Sequence, residues 1–433
     1  MTARKHLKAR VRERMAHTGE SYVTARRHVV ASAEPAPVTD HGYALRGGLH
    51  PETAAIANVL AHHGAPLSEA MVLGVGGGLG AGYILWEFKA HGVRTVVLGF
   101  RNRWQYPDRW TRAALERLGV PYEMHETGGA RTAEAQLDGA LERGRPALAW
   151  IDRETVGYWH LPPFMSGRGG YPVVAYAAAG DRIRVDDRNL APLTVDRETF
   201  AAARARVGSY KHRLVVCEPR APLTADEQRA AVRAGLADAA EHLAARSDSF
   251  GLPAWGKWGR TLTDERAAKG WPKVFADCRG LTGALLSTYE GILPVGFYGG
   301  HLRDLYADFL DEAAPLLDAP QAATAAAAWR AATELWRGLA DAVLPPGVGP
   351  FAALRDRLAA VHTSVVAEGD AGAEAAAAAA AELWALRAEL DSRPPLSDDQ
   401  ISDLLRDAGD RLGSIYEAET EAAARSAELA AGR

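Results

Sequence analysis

Gly170-Tyr171-Pro172-Val173-Val174-Ala175-Tyr176-Ala177-Ala178-Ala179-Gly180-Asp181-Arg182-Ile183-Arg184-Val185-Asp186-Asp187-Arg188 is the stretch on which the reading of the fold turns. It opens with a β-branched and aromatic run, breaks at Ala179-Gly180-Asp181, and resumes as a second short run ending in two acids. Such a pattern is a strand, a tight turn and a returning strand. A further apolar run, Arg213–Cys217, follows soon after. Strands this close together imply an antiparallel sheet and exclude a regularly alternating parallel α/β fold.

Working outward, further strands are expected at Thr95–Phe100 and Pro146–Ile151. Helical patterns at Trp110–Leu118, Ala133–Arg143 and Arg197–Arg206 separate the strands. An earlier helix is expected from Pro51, a good first-turn residue, to His63, with Gly64 as its stop. Residues 41–220 therefore read as one α+β domain. From Thr224 onward the periodicity is helical, broken only at Gly- and Pro-containing segments, so residues 221–433 read as an all-α domain. Trp255, Trp258, Trp271, Trp329, Trp336 and Trp384 are expected in its core, since each ring carries a large apolar surface. Residues 1–40 form a basic leader of two short helices and a Pro-containing linker. With Tyr22 as its lone aromatic residue, the leader reads as a solvated arm or strap rather than a nucleic-acid arm.

Composition narrows the function. The chain has 433 residues, of which 48% are hydrophobic and 24% charged, with a formal charge of −4. That is an ordinary globular composition with no general affinity for polyanions. No run is long and apolar enough for a spanning helix and no signal peptide is evident, so a cytoplasmic protein is expected. Cys217 and Cys278 are the only two cysteines. Two cannot form a disulfide framework or a four-cysteine zinc site. No HExxH or CxxC pattern occurs, and the adjacent His62 and His63 do not share a helix face. No metal and no cofactor are expected.

Three segments hold candidate chemistry. The glycine cluster Gly74, Gly76, Gly77, Gly78, Gly80 and Gly82 lacks the i, i+2, i+5 glycine triplet of a dinucleotide fingerprint, although Gly76, Gly78 and Ala81 fit its relaxed form. A close-packed turn whose backbone meets another segment or a substrate is the better reading, with Gly76, Gly77 and Gly78 as candidate binding residues. In Leu49-His50-Pro51-Glu52-Thr53, His50 falls at a helix N-cap and Glu52 in the first turn, a place that favours anions and lowers thiol pKa values. His50 reads equally as a capping or a catalytic residue. Asp186 and Asp187, at a strand end, are either turn residues or the acids that orient a base, and Arg188 is an ion-pair partner or a substrate contact.

The stretch His50–Gly82 resembles the N-terminal domain of the butirosin biosynthesis protein H family, and so does Gly170–Pro192, with its Val-Val-x-Tyr strand and Asp186-Asp187-Arg188. Phe250-Gly251-Leu252-Pro253, Lys269-Gly270-Trp271-Pro272 and Leu305–Glu312 resemble the helical domain that often follows it. The resemblance implies a papain-like cysteine-peptidase fold used for acyl transfer. Its namesake moves an aminoacyl group from an acyl carrier protein thioester to an aminoglycoside amine. A small-molecule or peptide acceptor and an acyl carrier protein are thereby implied as partners; no membrane partner is expected, and a homodimer is left open. Where the family commonly shows His-Cys and Gly-His, this chain has His50-Pro51 and Gly170-Tyr171. Proline cannot be a nucleophile. One reading is a rewired enzyme with His50 as general base, oriented by Glu52 or Asp187, helix-start N–H groups as oxyanion donors and Tyr171 as proton donor. The other is a non-catalytic relative that binds or scaffolds; amide hydrolysis is a third. The enzyme readings require His50, Tyr171 and Asp187 to converge at one cleft.

Overall fold

The computed structural model describes residues 12, 15, 16, 40–88, 91–101, 107–168 and 170–431. The rest of the leader, with its expected helices, lies outside the described residues. Helix α1 (Pro51–His62) begins at Pro51 as the sequence indicates, with His50 as N-cap in extended conformation. It is buried from Pro51 to Leu60. Helix α2 (Glu69–Val75) follows, capped by Ser68. A hairpin, β1 (Tyr83–Phe88) and β2 (Val93–Leu98), comes next. The chain continues through α3 (Pro107–Arg117), β3 (Tyr122–His125), α4 (Ala130–Glu142) and β4 (Ala147–Trp150). The quoted stretch forms β5 (Pro172–Ala179) and β6 (Arg182–Asp186), followed by β7 (Leu193–Asp196), α5 (Arg197–Arg206) and β8 (Leu214–Cys217).

Six of these strands form one sheet in the order β3-β8-β4-β5-β6-β7, with every neighbouring pair antiparallel. The domain is α+β, as expected. Side chains of a strand alternate between faces, and the sheet uses both. Val173, Ala175, Val185 and Val216 enter a core closed by Leu137 of α4 and Phe200 of α5. Val174, Tyr176, Val215 and Trp150 enter the opposite core with Ile56, Val59 and Leu60 of α1. A register shift in the β5–β6 pairing between Ala175 and Ala177 marks a bulge.

The remainder is helical: α6 (Ala225–Leu243), α7 (Pro253–Thr263), α8 (Trp271–Val274), α9 (Leu281–Ile292), α10 (Arg303–Leu317), α11 (Ala322–Val343), α12 (Gly349–Thr363), α13 (Ala373–Ser392) and α14 (Asp398–Ala430). Trp255, Trp258, Trp271, Trp329 and Trp336 are buried in its core. Trp384 is only partly buried, and its Nε1–H donates to the His160 carbonyl at 2.7 Å. The core under α1 and α2 runs without a break into the helical part. The glycine cluster is the reason it can. A Cβ on Gly74 would lie 2.2 Å from the Phe309 ring, one on Gly76 2.5 Å from Trp110, and one on Gly78 2.5 Å from Tyr306. The strand expected at Thr95–Phe100 is β2, which pairs with the unexpected β1 outside the six-stranded sheet and packs on α9, where the Val96 N–H donates to Ser287 Oγ at 2.9 Å. No helix among the described residues is long and apolar enough to cross a membrane.

Candidate active site

A helix start leaves backbone N–H groups without intrahelical partners. At α1 the His50 ring supplies one: Nδ1 accepts from the Glu52 and Thr53 N–H groups at 3.3 and 3.5 Å. The Glu69 carboxylate, at the start of α2, pins the same turn. It accepts from the Leu49 and His50 N–H groups at 2.8 Å each and from Thr53 Oγ1 at 2.6 Å. With Nδ1 occupied as an acceptor, the imidazole proton sits on Nε2. Burial lowers the His50 pKa well below its ordinary value, and Arg101, Arg188 and Arg153 lower it further. The ring is therefore neutral, and among the described residues none accepts from Nε2.

Tyr171 stands edge-on to His50, with ring centres 5.4 Å apart. Burial raises its pKa, so the phenol keeps its proton. Both rings line a cavity of about 730 Å³ between the sheet domain and the helices. Arg101 and Arg153 share that wall, while Trp86, Phe88, Leu98, Phe100, Phe297 and Leu302 make much of the rest apolar.

The other expected residues lie behind this wall. The Glu52 side chain pairs with Arg101 at 2.5 Å and accepts from Thr111 Oγ1. Asp187 Oδ2 accepts from Arg153 Nη1, Tyr158 Oη and Trp159 Nε1, the last two at 2.9 Å. Neither acid is hydrogen-bonded to His50, and the helix-start N–H groups are already taken by its Nδ1. His50 and Tyr171 thus converge on the cavity but Asp187 does not line it, so the expected meeting of all three is not found and neither Asp187 nor Glu52 orients His50 as a base. Asp187 is joined to this wall through Arg153, whose guanidinium carbon is 5.9 Å from the Tyr171 ring centre, and through Arg188, whose Nε is 3.6 Å away. Asp186 is a structural acceptor, bonded by Tyr43 Oη at 2.7 Å, Asn58 Nδ2 at 2.9 Å and the Arg188 N–H at 3.0 Å. Arg188 ties the site together, donating to the carbonyls of Leu49 at 2.9 Å, Gly296 at 3.4 Å and Phe297 at 3.5 Å. Gly76, Gly77 and Gly78 do not line the cavity, because their turn faces Trp110 and Tyr306.

Neither cysteine lines the cavity, and burial pushes the Cys217 thiol up to about 12. Sequence reasoning missed Arg101, Arg153 and Glu69. The two arginines had a readable signal, since each follows directly on an apolar strand run, Val96–Phe100 and Ala147–Ile151, with a single acid intervening in the second. Glu69 had none beyond its place after the capping Ser68.

Residues 50–188 match the family described as Butirosin biosynthesis protein H, N-terminal, and residues 198–364 match a Domain of unknown function (DUF4872). Among curated proteins none matches the chain.

Proposed function

The first domain of this chain belongs to the butirosin biosynthesis protein H N-terminal family, and from that premise we propose that the protein is an acyltransferase-like enzyme of specialised metabolism that works without an acyl-enzyme. The donor is an acyl thioester, carried by a small thiol or an acyl carrier protein, and the acceptor is an amine. The observation that carries this reading is the neutral His50 ring, capped on Nδ1 and turned with Tyr171 onto the cavity wall.

A neutral imidazole whose Nε2 already holds a proton is a hydrogen-bond donor, not a base. The amine nitrogen adds to the thioester carbonyl carbon, and the oxygen takes up negative charge against His50 Nε2–H and the Tyr171 hydroxyl. Such donors act on charge that develops in the transition state. The C–S bond then breaks as the carbonyl re-forms, and the proton on the new amide nitrogen leaves with the thiolate as thiol. No side-chain nucleophile is required, consistent with Pro51 at the helix start.

The test is mass spectrometry of reaction mixtures containing candidate N-acetylcysteamine thioesters and amines. Amide product should form with wild type, fall with Tyr171→Phe, and appear without any acyl adduct on the intact protein. A stable adduct, or product formation unaffected by Tyr171→Phe, overturns the mechanism. Among the described residues no acid or base is hydrogen-bonded to His50 Nε2, which favours a second reading, a non-catalytic binding protein, for which ligand would be retained and returned unchanged.

A further inference from the structure

Residues 294–300 join α9 to α10 and so belong to the helical part, yet they touch the turn that carries His50. Gly299 makes the contact. Its φ is +89°, and a Cβ there would lie 2.7 Å from the Leu49 carbonyl oxygen and 2.8 Å from His50 Cα, so only glycine fits. Arg188 holds both sides, because one guanidinium donates to the Leu49 carbonyl of the first domain and to the Gly296 and Phe297 carbonyls of this segment. The His301 N–H closes the segment on the Ile292 carbonyl at 2.9 Å. Tyr298, next to Gly299, is thereby fixed beside the His50 turn.

Tyr298 lines the same cavity as His50 and Tyr171. Among the described residues its hydroxyl makes no hydrogen bond, and it is not sealed from water as the unbonded Tyr306 hydroxyl is. The Tyr171 hydroxyl and His50 Nε2 are in the same condition, unbonded and open. Burial raises the Tyr298 pKa well above its ordinary value, and Glu290 and Tyr171 raise it further, so the phenol keeps its proton and can donate it to a hydrogen bond. Three neutral groups with a proton to offer, supplied by both parts of the chain, therefore open on one space. Such a set suits an acceptor oxygen. Phe88, Leu98 and Phe297 give the rest of that space apolar surface.

We propose that Tyr298 is a substrate-contacting residue whose hydroxyl donates to the acyl carbonyl oxygen of a ligand with an apolar chain, so that the helical part completes the site built on His50 and Tyr171. That this carbonyl is the one attacked by an amine rests on the transfer reading; that Tyr298 meets it does not.

Titration calorimetry of the full chain isolates this bond with two probes: the 4-phenylbutyryl thioester of N-acetylcysteamine, and the matching 4-phenylbutyl thioether, which has a methylene in place of the acyl carbonyl. Wild type should bind the thioester about tenfold tighter than the thioether. Tyr298→Phe should weaken thioester binding about fivefold and leave thioether binding unchanged, because a hydrogen bond is lost only where both partners were present. Equal binding of the two probes by wild type, no thioester binding at millimolar concentration, or thioester affinity unchanged in Tyr298→Phe each overturns the proposal. An equal loss for both probes does so too, since it moves the bond to the acetamide they share. The Tyr298 hydroxyl has no partner in the fold, so the variant should unfold with wild type; a Tyr298→Phe that does not fold would make the hydroxyl structural and equally overturn the proposal. Amide formation together with thioester affinity indifferent to Tyr298→Phe keeps the transfer reading and sinks this one. Binding that depends on Tyr298, with no amide formed from the amines supplied, does the reverse.

Discussion

His50 has two tasks divided between its two ring nitrogens. Nδ1 completes the helix start, and Nε2–H faces the cavity. A substitution that keeps the first and removes the second separates them. Asparagine is among the best N-cap residues, and its short side chain does not extend into the cavity as the imidazole does. His50→Asn should therefore unfold within about 1 kcal/mol of wild type, since a cap is worth about that much. Transfer should fall by about 10²–10³-fold, the loss measured when one oxyanion donor is removed elsewhere. Thermal unfolding and product formation on the same preparation give both numbers. Undiminished product with the cap intact would make His50 a structural residue only. Pro51 takes the first helical position at no cost, because its missing N–H belongs to a group with no partner in the helix. Pro51, whose side chain offers no nucleophile, is thus also a good helix starter.

At the scale of elements, what the sequence discloses depends on where each segment's apolar residues go. β4, β5 and β8 were legible because their central residues are buried on both faces, so their apolar runs are nearly continuous, whereas β6 was legible by alternation, with Ile183 and Val185 entering one core between Arg182, Arg184 and Asp186. β3 and β7 were not. Each has four residues, and each forms an edge of the sheet, where half-exposed polar side chains blur the pattern. β2 was legible as a strand, but β1 was not, nor was the place of the pair, because the surface that β2 packs on is α9, nearly two hundred residues away in the chain. Among site residues, His50 and Tyr171 could be found from local sequence, but the pairing of Glu52 with Arg101 rather than His50 could not, since it depends on how α1 meets the end of β2. The glycine cluster was legible as a close-packed turn, though not which rings it meets. Gly74→Ala in α2 would drive a methyl into the Phe309 ring. Overpacking of this kind costs about 1–3 kcal/mol. Phe309→Leu should relieve part of it, so the double variant should lose less stability than the two single losses added. Denaturant unfolding of the four proteins measures the coupling, and simple additivity would show that Gly74 is not held by that ring.

The whole molecule is organised around buried charge as well as apolar surface. Arg303 and Glu419, both fully buried, join α10 to α14, with guanidinium–carboxylate bonds of 2.5 and 2.7 Å. Trp255 and Trp336 donate to the same carboxylate at 2.9 and 2.6 Å, and Gly80 and His301 offer carbonyls to the arginine. The glycine segment of the first domain is thereby fastened to the centre of the helical part, a coupling consistent with the unbroken core. Glu290 of α9 is placed differently. Burial pushes its pKa up to about 7, and Arg387 opposes the shift only in part. The sign of its effect on stability follows from linkage. Between the unfolded value of 4.5 and the folded value of about 7, the native state holds a proton that the unfolded chain has lost. Stability from this group is therefore greatest at low pH and is lost as pH rises through 7. The full difference is about 3 kcal/mol, at 1.36 kcal/mol per pKa unit. Glu290→Gln keeps the size and polarity of the neutral acid and removes the titration. It should match wild type near pH 4.5, exceed it progressively above that, and be more stable by about 3 kcal/mol at pH 8. The buried His301 and the partly buried His362 give wild type its own acid sensitivity, because desolvation holds them down to about 3 and about 4, but both proteins share them and the difference cancels the effect. Denaturant unfolding at a series of pH values reads the gap directly. A gap that is constant with pH would mean that Glu290 is ionised in the folded protein throughout, with Arg387 as an effective partner.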